Sequence, residues 1–333
     1  MRWASAWERR VALNRGNISR REFLRISIAG LALIAAGNFV SAAKAVFAQS
    51  GASAGRPKRR IKGDHDLVCA KGDDPYATTV KAVDAIGGMG KFVRRGSVVV
   101  IKPNIGWDRT PEQAANTNPM VVAALIDMCL KAGAKRINIF DVPCNDARRC
   151  YESSGIEKVA REHGANIYFP DSWNVVKAKF GYRSPMEGWT ILRDAIGCDT
   201  FINVPVLKNH GLTQLTLSMK NLMGVCTGNR GLIHQDIGRK LVDLTDYINP
   251  ELTVIDGWRY LERHGPTGGD LNDVKELKTV IAATDPTLAD AYAAKLVGYE
   301  PMSIDNVRIA AERKLGSADT DKADILELNA RLV

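Results

Sequence analysis

Between residues 97 and 315 the chain alternates short β-branched runs with punctuated helical stretches, and no other feature restricts its fold as strongly. Strands separated by helices return in the same direction. The expected fold is therefore α/β, a mainly parallel sheet with helices on both faces, as a single large domain or two closely packed lobes. Ser97 to Lys102 is a continuous apolar run ending in a lysine, the pattern of a strand buried on both sides. Asn118-Pro119 opens an apolar stretch to Lys131 that stops at Gly133, with an Asn cap, proline at the first helical position and a closing glycine. Lys135 to Phe140 reads as the next strand. Ser154 with Glu157 reads as a capping box for a helix to Gly164, and Ala165 to Phe169 as the strand after it. Asp199 to Val204, Leu252 to Asp256 and Glu276 to Ala283 read as further strands. Asp285-Pro286 opens a helix ending at Gly298, and another spans about Ile304 to Leu315. These signals place an α/β domain at 67–316 and a polar tail, helical at best, at 317–333.

The segment ahead of this domain has a different character. Ser19-Arg20-Arg21-Glu22-Phe23-Leu24-Arg25 carries two adjacent arginines before Phe-Leu and is followed by an Ala/Gly-rich apolar run, Ile26 to Ala36. Val46-Phe47-Ala48 then offers small residues for cleavage before Gln49. Residues 1–48 read as a twin-arginine signal peptide, which predicts recognition by the twin-arginine translocation machinery and export of the folded chain to the periplasm. An uncleaved membrane anchor is the alternative, but the run falls short of the roughly 20 apolar residues that span a bilayer. The whole chain has 46 basic and 37 acidic residues, and setting residues 1–48 aside lowers its net charge from +9 to +3. Residues 49–66 read as a linker, with the basic cluster Arg56 to Lys62 as a solvated tether. No aromatic residues are interleaved with those charges, which argues against nucleic acid as a partner. Export permits disulfides, and of six cysteines Cys144 and Cys150 are the nearest candidates for a local pair, with free thiols as the alternative.

In a parallel sheet, ligands bind beyond the carboxyl ends of the strands. Lys102-Pro103-Asn104 follows one strand, Asp141 another and Asp256-Gly257 a third. Asn203 leads into Lys208-Asn209-His210, and the stretch continues through Thr213, Thr216, Ser218, Lys220 and Asn221. Lysines clustered with amide and hydroxyl donors suit an anion, so Lys102, Asn104, Asn203, Lys208, Lys220 and Asn221 are the candidate substrate-binding residues. His210, His234 and Asp256 are the candidate catalytic residues. A cation beside His210 would keep it neutral, as a base must be. His210, His234 and His264 with Asp256 or Asp236 are also a candidate metal set, although none has helical metal-ligand spacing to another. Gly265-Pro266-Thr267-Gly268-Gly269 is a tight loop whose backbone could approach an anion. There is no Gly-x-Ser-x-Gly, His-Glu-x-x-His or helix-opening Gly-x-Gly-x-x-Gly, and no four-cysteine run for a ferredoxin-type iron–sulfur cluster.

These residues, taken in order, resemble the domain of unknown function 362 family. The matching pieces are Lys102-Pro103-Asn104, Thr117-Asn118-Pro119, Asn203 to His210, Thr213, Leu217 to Gly224, His234, Asp256-Gly257, Gly265-Pro266 with Gly269, and Asp285-Pro286 with Asp290. The resemblance implies an α/β fold over roughly Val98 to Gly298. Many family members also carry an iron–sulfur module, which this chain lacks, and His264 stands where a glycine is expected. Three functions follow as expectations. The first is an exported enzyme acting on an anionic small molecule or cofactor, with the lysines holding the anion and a histidine moving a proton. The second is a metal- or cofactor-binding carrier or maturation factor. The third is an accessory subunit of an exported redox complex, with a redox partner protein.

Overall fold

A computed structural model of the chain describes residues 54–330 apart from 60, 171–173 and 182. The expected signal peptide at 1–48 lies outside the described residues, as does the start of the linker. In chain order the elements are β1 (Leu67–Gly72), α1 (Pro75–Ala85), β2 (Val98–Pro103), α2 (Pro119–Lys131), β3 (Arg136–Ile139), α3 (Ala147–Ser153), α4 (Ile156–Glu162) and β4 (Asn166–Ile167). Next come β5 (Val175–Lys177), β6 (Thr190–Leu192), α5 (Arg193–Gly197), β7 (Thr200–Val204), β8 (Val206–His210), β9 (Gln214–Thr216) and α6 (Ser218–Asn221). The chain continues through α7 (Ile237–Ile248), β10 (Leu252–Leu261), β11 (Val274–Ala283), α8 (Pro286–Leu296), α9 (Asp305–Glu312) and β12 (Ile325–Ala330).

The main sheet runs β12-β1-β11-β10-β7-β2-β3-β4, with the β8–β9 hairpin attached through β8 to β10. β10, β7, β2, β3 and β4 are mutually parallel, whereas β11 is antiparallel to both its neighbours. The fold is thus a mainly parallel α/β sheet covered on both faces. Successive strand residues divide between two cores. Val99, Ile101 and Ile202 pack with Val122 and Leu125 of α2 and Val83 of α1 on one face. Val100, Phe201 and Ile255 pack with Leu241 of α7, Ala293 of α8 and Val307 of α9 on the other. Among the described residues no helix is long and apolar enough to cross a membrane.

The Asn-Pro signal produces its helix: Asn118 caps α2, its side chain accepting from the Met120 N–H at 2.9 Å, and Pro119 takes the first position. Three expectations need correction. Ser154 does not cap α4; it ends α3, and Gly155 in the left-handed region (φ 71°) starts α4. The stretch after Gly316 is more than a polar tail, because β12 pairs with β1 in parallel, Leu67 opposite Ile325. Within the expected tether, Arg56 is buried and its guanidinium lies 2.9 Å from the Glu251 carboxylate. Arg56 also donates to the carbonyls of Ile248 and Asn249 at the end of α7, both at 3.1 Å. All six cysteines are free, Cys144 exposed and Cys150 buried, so the candidate pair is not joined.

Candidate functional site

β2 and β7 pair in register, which sets Lys102 opposite Asn203 at their carboxyl ends. β3 ends two residues before Asp141, and β8 ends at His210. Around these ends opens a cavity of about 490 Å³. Seven of the expected residues line it: Lys102, Asn104, Lys208, His210, Lys220, Asn221 and His234. Trp107, Asp141, Cys144, Thr216, Met223 and Arg230 complete much of its wall.

The polar groups form a continuous chain. Lys102 Nζ donates to the Pro103 carbonyl at 2.9 Å and Asn221 Oδ1 at 3.0 Å, and lies 2.8 Å from Asp141 Oδ1. Asn221 Oδ1 also accepts from Asn104 Nδ2 at 3.1 Å, and Asn104 Oδ1 accepts from Lys208 Nζ at 3.2 Å. The second partner of Lys208 is the Ala115 carbonyl at 2.5 Å. Asn203 sits behind this chain, its Oδ1 accepting from Asn221 Nδ2 at 2.9 Å and its own amide donating to the Ser218 carbonyl. It positions Asn221 and does not line the cavity.

These bonds sort the lysines. An ammonium has three donors, and Lys102 commits all three to protein, so it organises the wall and has none left for an anion. Lys208 commits two. Among the described residues Lys220 Nζ has only the Met223 sulfur as a hydrogen-bond partner, at 3.2 Å. Burial lowers the proton affinity of all three, bringing Lys208 to about 7 and Lys220 to about 8, while Asp141 pulls Lys102 back upward. Thr216 Oγ1 is buried in the wall with no hydrogen-bond partner among the described residues. Arg230 donates to the Pro143 carbonyl at 2.6 Å and stands 3.8 Å from Cys144 Sγ.

The two histidines are opposite in kind. His210 Nδ1 accepts from the backbone N–H groups of Leu212 at 3.1 Å and Thr213 at 3.4 Å, which assigns the ring proton to Nε2. Burial, with Lys220 and Lys208 nearby, drives its pKa down to about 3. His210 is therefore neutral, but its outward nitrogen is a donor and not the base expected of it. His234 Nδ1 faces the Gly231 carbonyl at 3.2 Å and must donate to it, leaving the Nε2 lone pair open. Burial and then Lys220 lower its pKa as well, keeping it neutral. The rings stack 6.2 Å apart, a donor beside a base.

Other expected residues go elsewhere. Asp256 is buried away from the cavity, accepting from the backbone N–H groups of Asn118 at 2.7 Å and Trp258 at 3.0 Å, and burial raises its pKa to about 6. His264 pairs with Asp273 at 2.6 Å and Asp236 with Arg239 at 3.1 Å. The candidate metal set is thus not assembled, and among the described residues no group of three or more His, Cys, Asp or Glu is arranged to hold a metal ion. Where the resemblance expected a glycine, His264 adopts a φ of 55°. The following Gly265 must be glycine, since a Cβ there would lie 1.9 Å from the Asn209 carbonyl oxygen. That approach brings Pro266 to the cavity. Arg230, between Gly228-Asn229 and Gly231, was not anticipated; its place in a glycine-flanked loop was the available signal.

A family model described as "Domain of unknown function (DUF362)" matches residues 99–295. The thylakoid-associated protein sll1697 of Synechocystis sp. is 28% identical over 246 residues, covering 70% of this chain and 73% of that one. Two solved structures are more distant. The lactate racemase apoprotein of Thermoanaerobacterium thermosaccharolyticum has 11% identity and a TM-score of 0.41, over 72% of this chain and 58% of that one. A Thermotoga maritima protein has 12% identity and a TM-score of 0.33, over 54% of this chain and 49% of that one. The chain spans less than two thirds of either.

Proposed function

This chain belongs to the DUF362 family, and from that premise we propose that it binds an anionic small molecule or cofactor in the cavity beyond β2, β3, β7 and β8 and moves a proton on it. The observation that carries this reading is a charge imbalance. Lys208, Lys220 and Arg230 reach the cavity wall, while its one carboxylate, Asp141, is taken up by Lys102. Lys220 Nζ, Thr216 Oγ1 and the Nε2–H of His210 are donors that no oxygen of the described residues satisfies. A buried donor without an acceptor, as Thr216 Oγ1 is, is costly, and an anion in the cavity would satisfy all three together. His234, with its open Nε2, is the base of this site. Asn104, Asn203 and Asn221 hold the lysines in place.

The Ser19–Arg25 pattern supports export by the twin-arginine route, by which this chemistry would run in the periplasm; sequencing the amino terminus of the mature protein tests cleavage before Gln49. Binding is tested by calorimetry with carboxylates and inorganic phosphate. A saturable anion should bind wild type and lose at least about tenfold in affinity with Lys220→Met, the cost of one charge-assisted hydrogen bond. Equal affinity of wild type and variant for every anion would remove the reading.

A further inference from the structure

The three cavity lysines differ in one respect that anion binding alone does not require. Lys102 is 0% and Lys208 1% exposed, each tied to oxygen acceptors, whereas Lys220 is 9% exposed and among the described residues its Nζ has the Met223 thioether as its hydrogen-bond partner. Its amine lines the cavity, and among the described residues no carboxylate or carbonyl holds the proton on it. An amine that reaches a ligand and is short of counter-charge is a nucleophile toward carbonyl carbon. The Arg230 guanidinium, with the Lys208 amine as a hydrogen-bond donor, remains to hold a carboxylate beside it.

We propose that Lys220 forms a covalent imine with a 2-oxo carboxylate, the acid group lying against Lys208 and Arg230. This rests on the anion reading above and names its substrate class. The Lys220 lone pair adds to the carbonyl carbon of the ligand, whose oxygen takes up the first of the two amine hydrogens. The two amine hydrogens and that oxygen then leave as one water, and a C=N bond replaces C=O. Nothing is oxidised or reduced. His234 Nε2, the open base of the cavity, takes a proton from the adding amine and returns it to the departing hydroxyl. Burial has already brought the Lys220 pKa to about 8, so an appreciable share of the amine is neutral near that pH.

The test is reductive trapping on the full chain. Pyruvate or 2-oxoglutarate is added with cyanoborohydride, whose hydride fixes any imine as a stable secondary amine, and peptide mass spectrometry locates the adduct. The expected result is a single adduct on Lys220 with at least one of the two acids. It should be lost in Lys220→Arg, which keeps the charge and whose fold is read by circular dichroism. No adduct with either acid, or labelling of exposed lysines as fast as Lys220, overturns the proposal. Calorimetry with glycolate, a carboxylate with no ketone to attack, runs in parallel. If glycolate or inorganic phosphate binds and no adduct forms, the imine falls and the anion reading stands; if neither they nor the other carboxylates bind and no adduct forms, both fall.

Discussion

Lys102 Nζ and Asp141 Oδ1 lie 2.8 Å apart with their side chains 1% and 3% exposed, joining β2 to the end of β3 directly beneath the cavity. Such a pair adds little net stability over an apolar one, but removing one partner strands the other charge. Asp141→Asn should therefore destabilise the protein by about 3–5 kcal/mol. The denaturant midpoint should fall with an unchanged slope. A loss within about 0.5 kcal/mol, the range of ordinary surface substitutions, would show that the pair does not organise the wall.

The backbone of Gly224 closes over this pair. A Cβ there would stand 1.6 Å from Asp141 Oδ1 and 2.5 Å from Lys102 Nζ. Gly224→Ala must displace the carboxylate, and overpacking of this kind costs about 1–3 kcal/mol. Anion affinity should drop along with stability. An alanine variant that matches wild type in both melting and titration would contradict the geometry.

The cavity lysines give binding and stability opposite pH slopes. An anion prefers the protonated amines, so affinity should fall from pH 7 to 8.5 as Lys208 (about 7) and Lys220 (about 8) lose their protons, by up to about tenfold per pH unit for each proton taken up. Without ligand the sign reverses. A free lysine titrates near 10.4, so between the folded and unfolded values the unfolded chain holds more protons, and stability rises with pH. Above about 8.5, where free thiols ionise, the raised pKa values of Cys69, Cys129, Cys150, Cys198 and Cys226 act in the opposite direction. Urea titrations at pH 7, 7.75 and 8.5 should show the rise in wild type and a flatter line in Lys220→Met. Parallel lines would mean that Lys220 keeps an ordinary pKa.

Arg56 ties the segment ahead of β1 to the sheet. Glu251 accepts from Arg56 and, through Oε2, from the Phe201 N–H at 2.8 Å, while the guanidinium lies 5.7 Å from the centre of the Phe201 ring. Glu251→Ala removes charge-assisted bonds from both, and a loss of about 2–3 kcal/mol is expected in chemical unfolding. Limited proteolysis near Arg56 should accelerate as well. Cleavage as slow as in wild type would show that the latch does not hold that segment.

Much of the fold was legible because its cues are local. Val98 to Lys102 needs no partner to read as a buried strand, and Asn118-Pro119 sets its own helix start. β12 was not legible, because Ile325-Leu-Glu-Leu-Asn-Ala is short and polar at alternate positions and draws its order from β1, far away in sequence. The cavity was legible to the extent that Lys102, Lys208, His210 and Lys220 follow strands whose ends coincide. Their division of labour was not, since it depends on acceptors contributed by distant residues: Asp141 and Asn221 for Lys102, Ala115 for Lys208. Asp256 was misleading for the same reason. It ends no strand, because β10 continues to Leu261, and its carboxylate turns inward to two backbone amides.

The pairing of β1 sets a timetable for the ribosome. Its two neighbours in the sheet are β11, where Leu67 meets Ala283, and β12, where it meets Ile325. The earliest described strand to be synthesised is thus among the last to be paired. Until the distal third of the chain emerges, the apolar run Leu67-Val68-Cys69-Ala70 has no edge to join, and it is the segment a nascent-chain chaperone would find waiting.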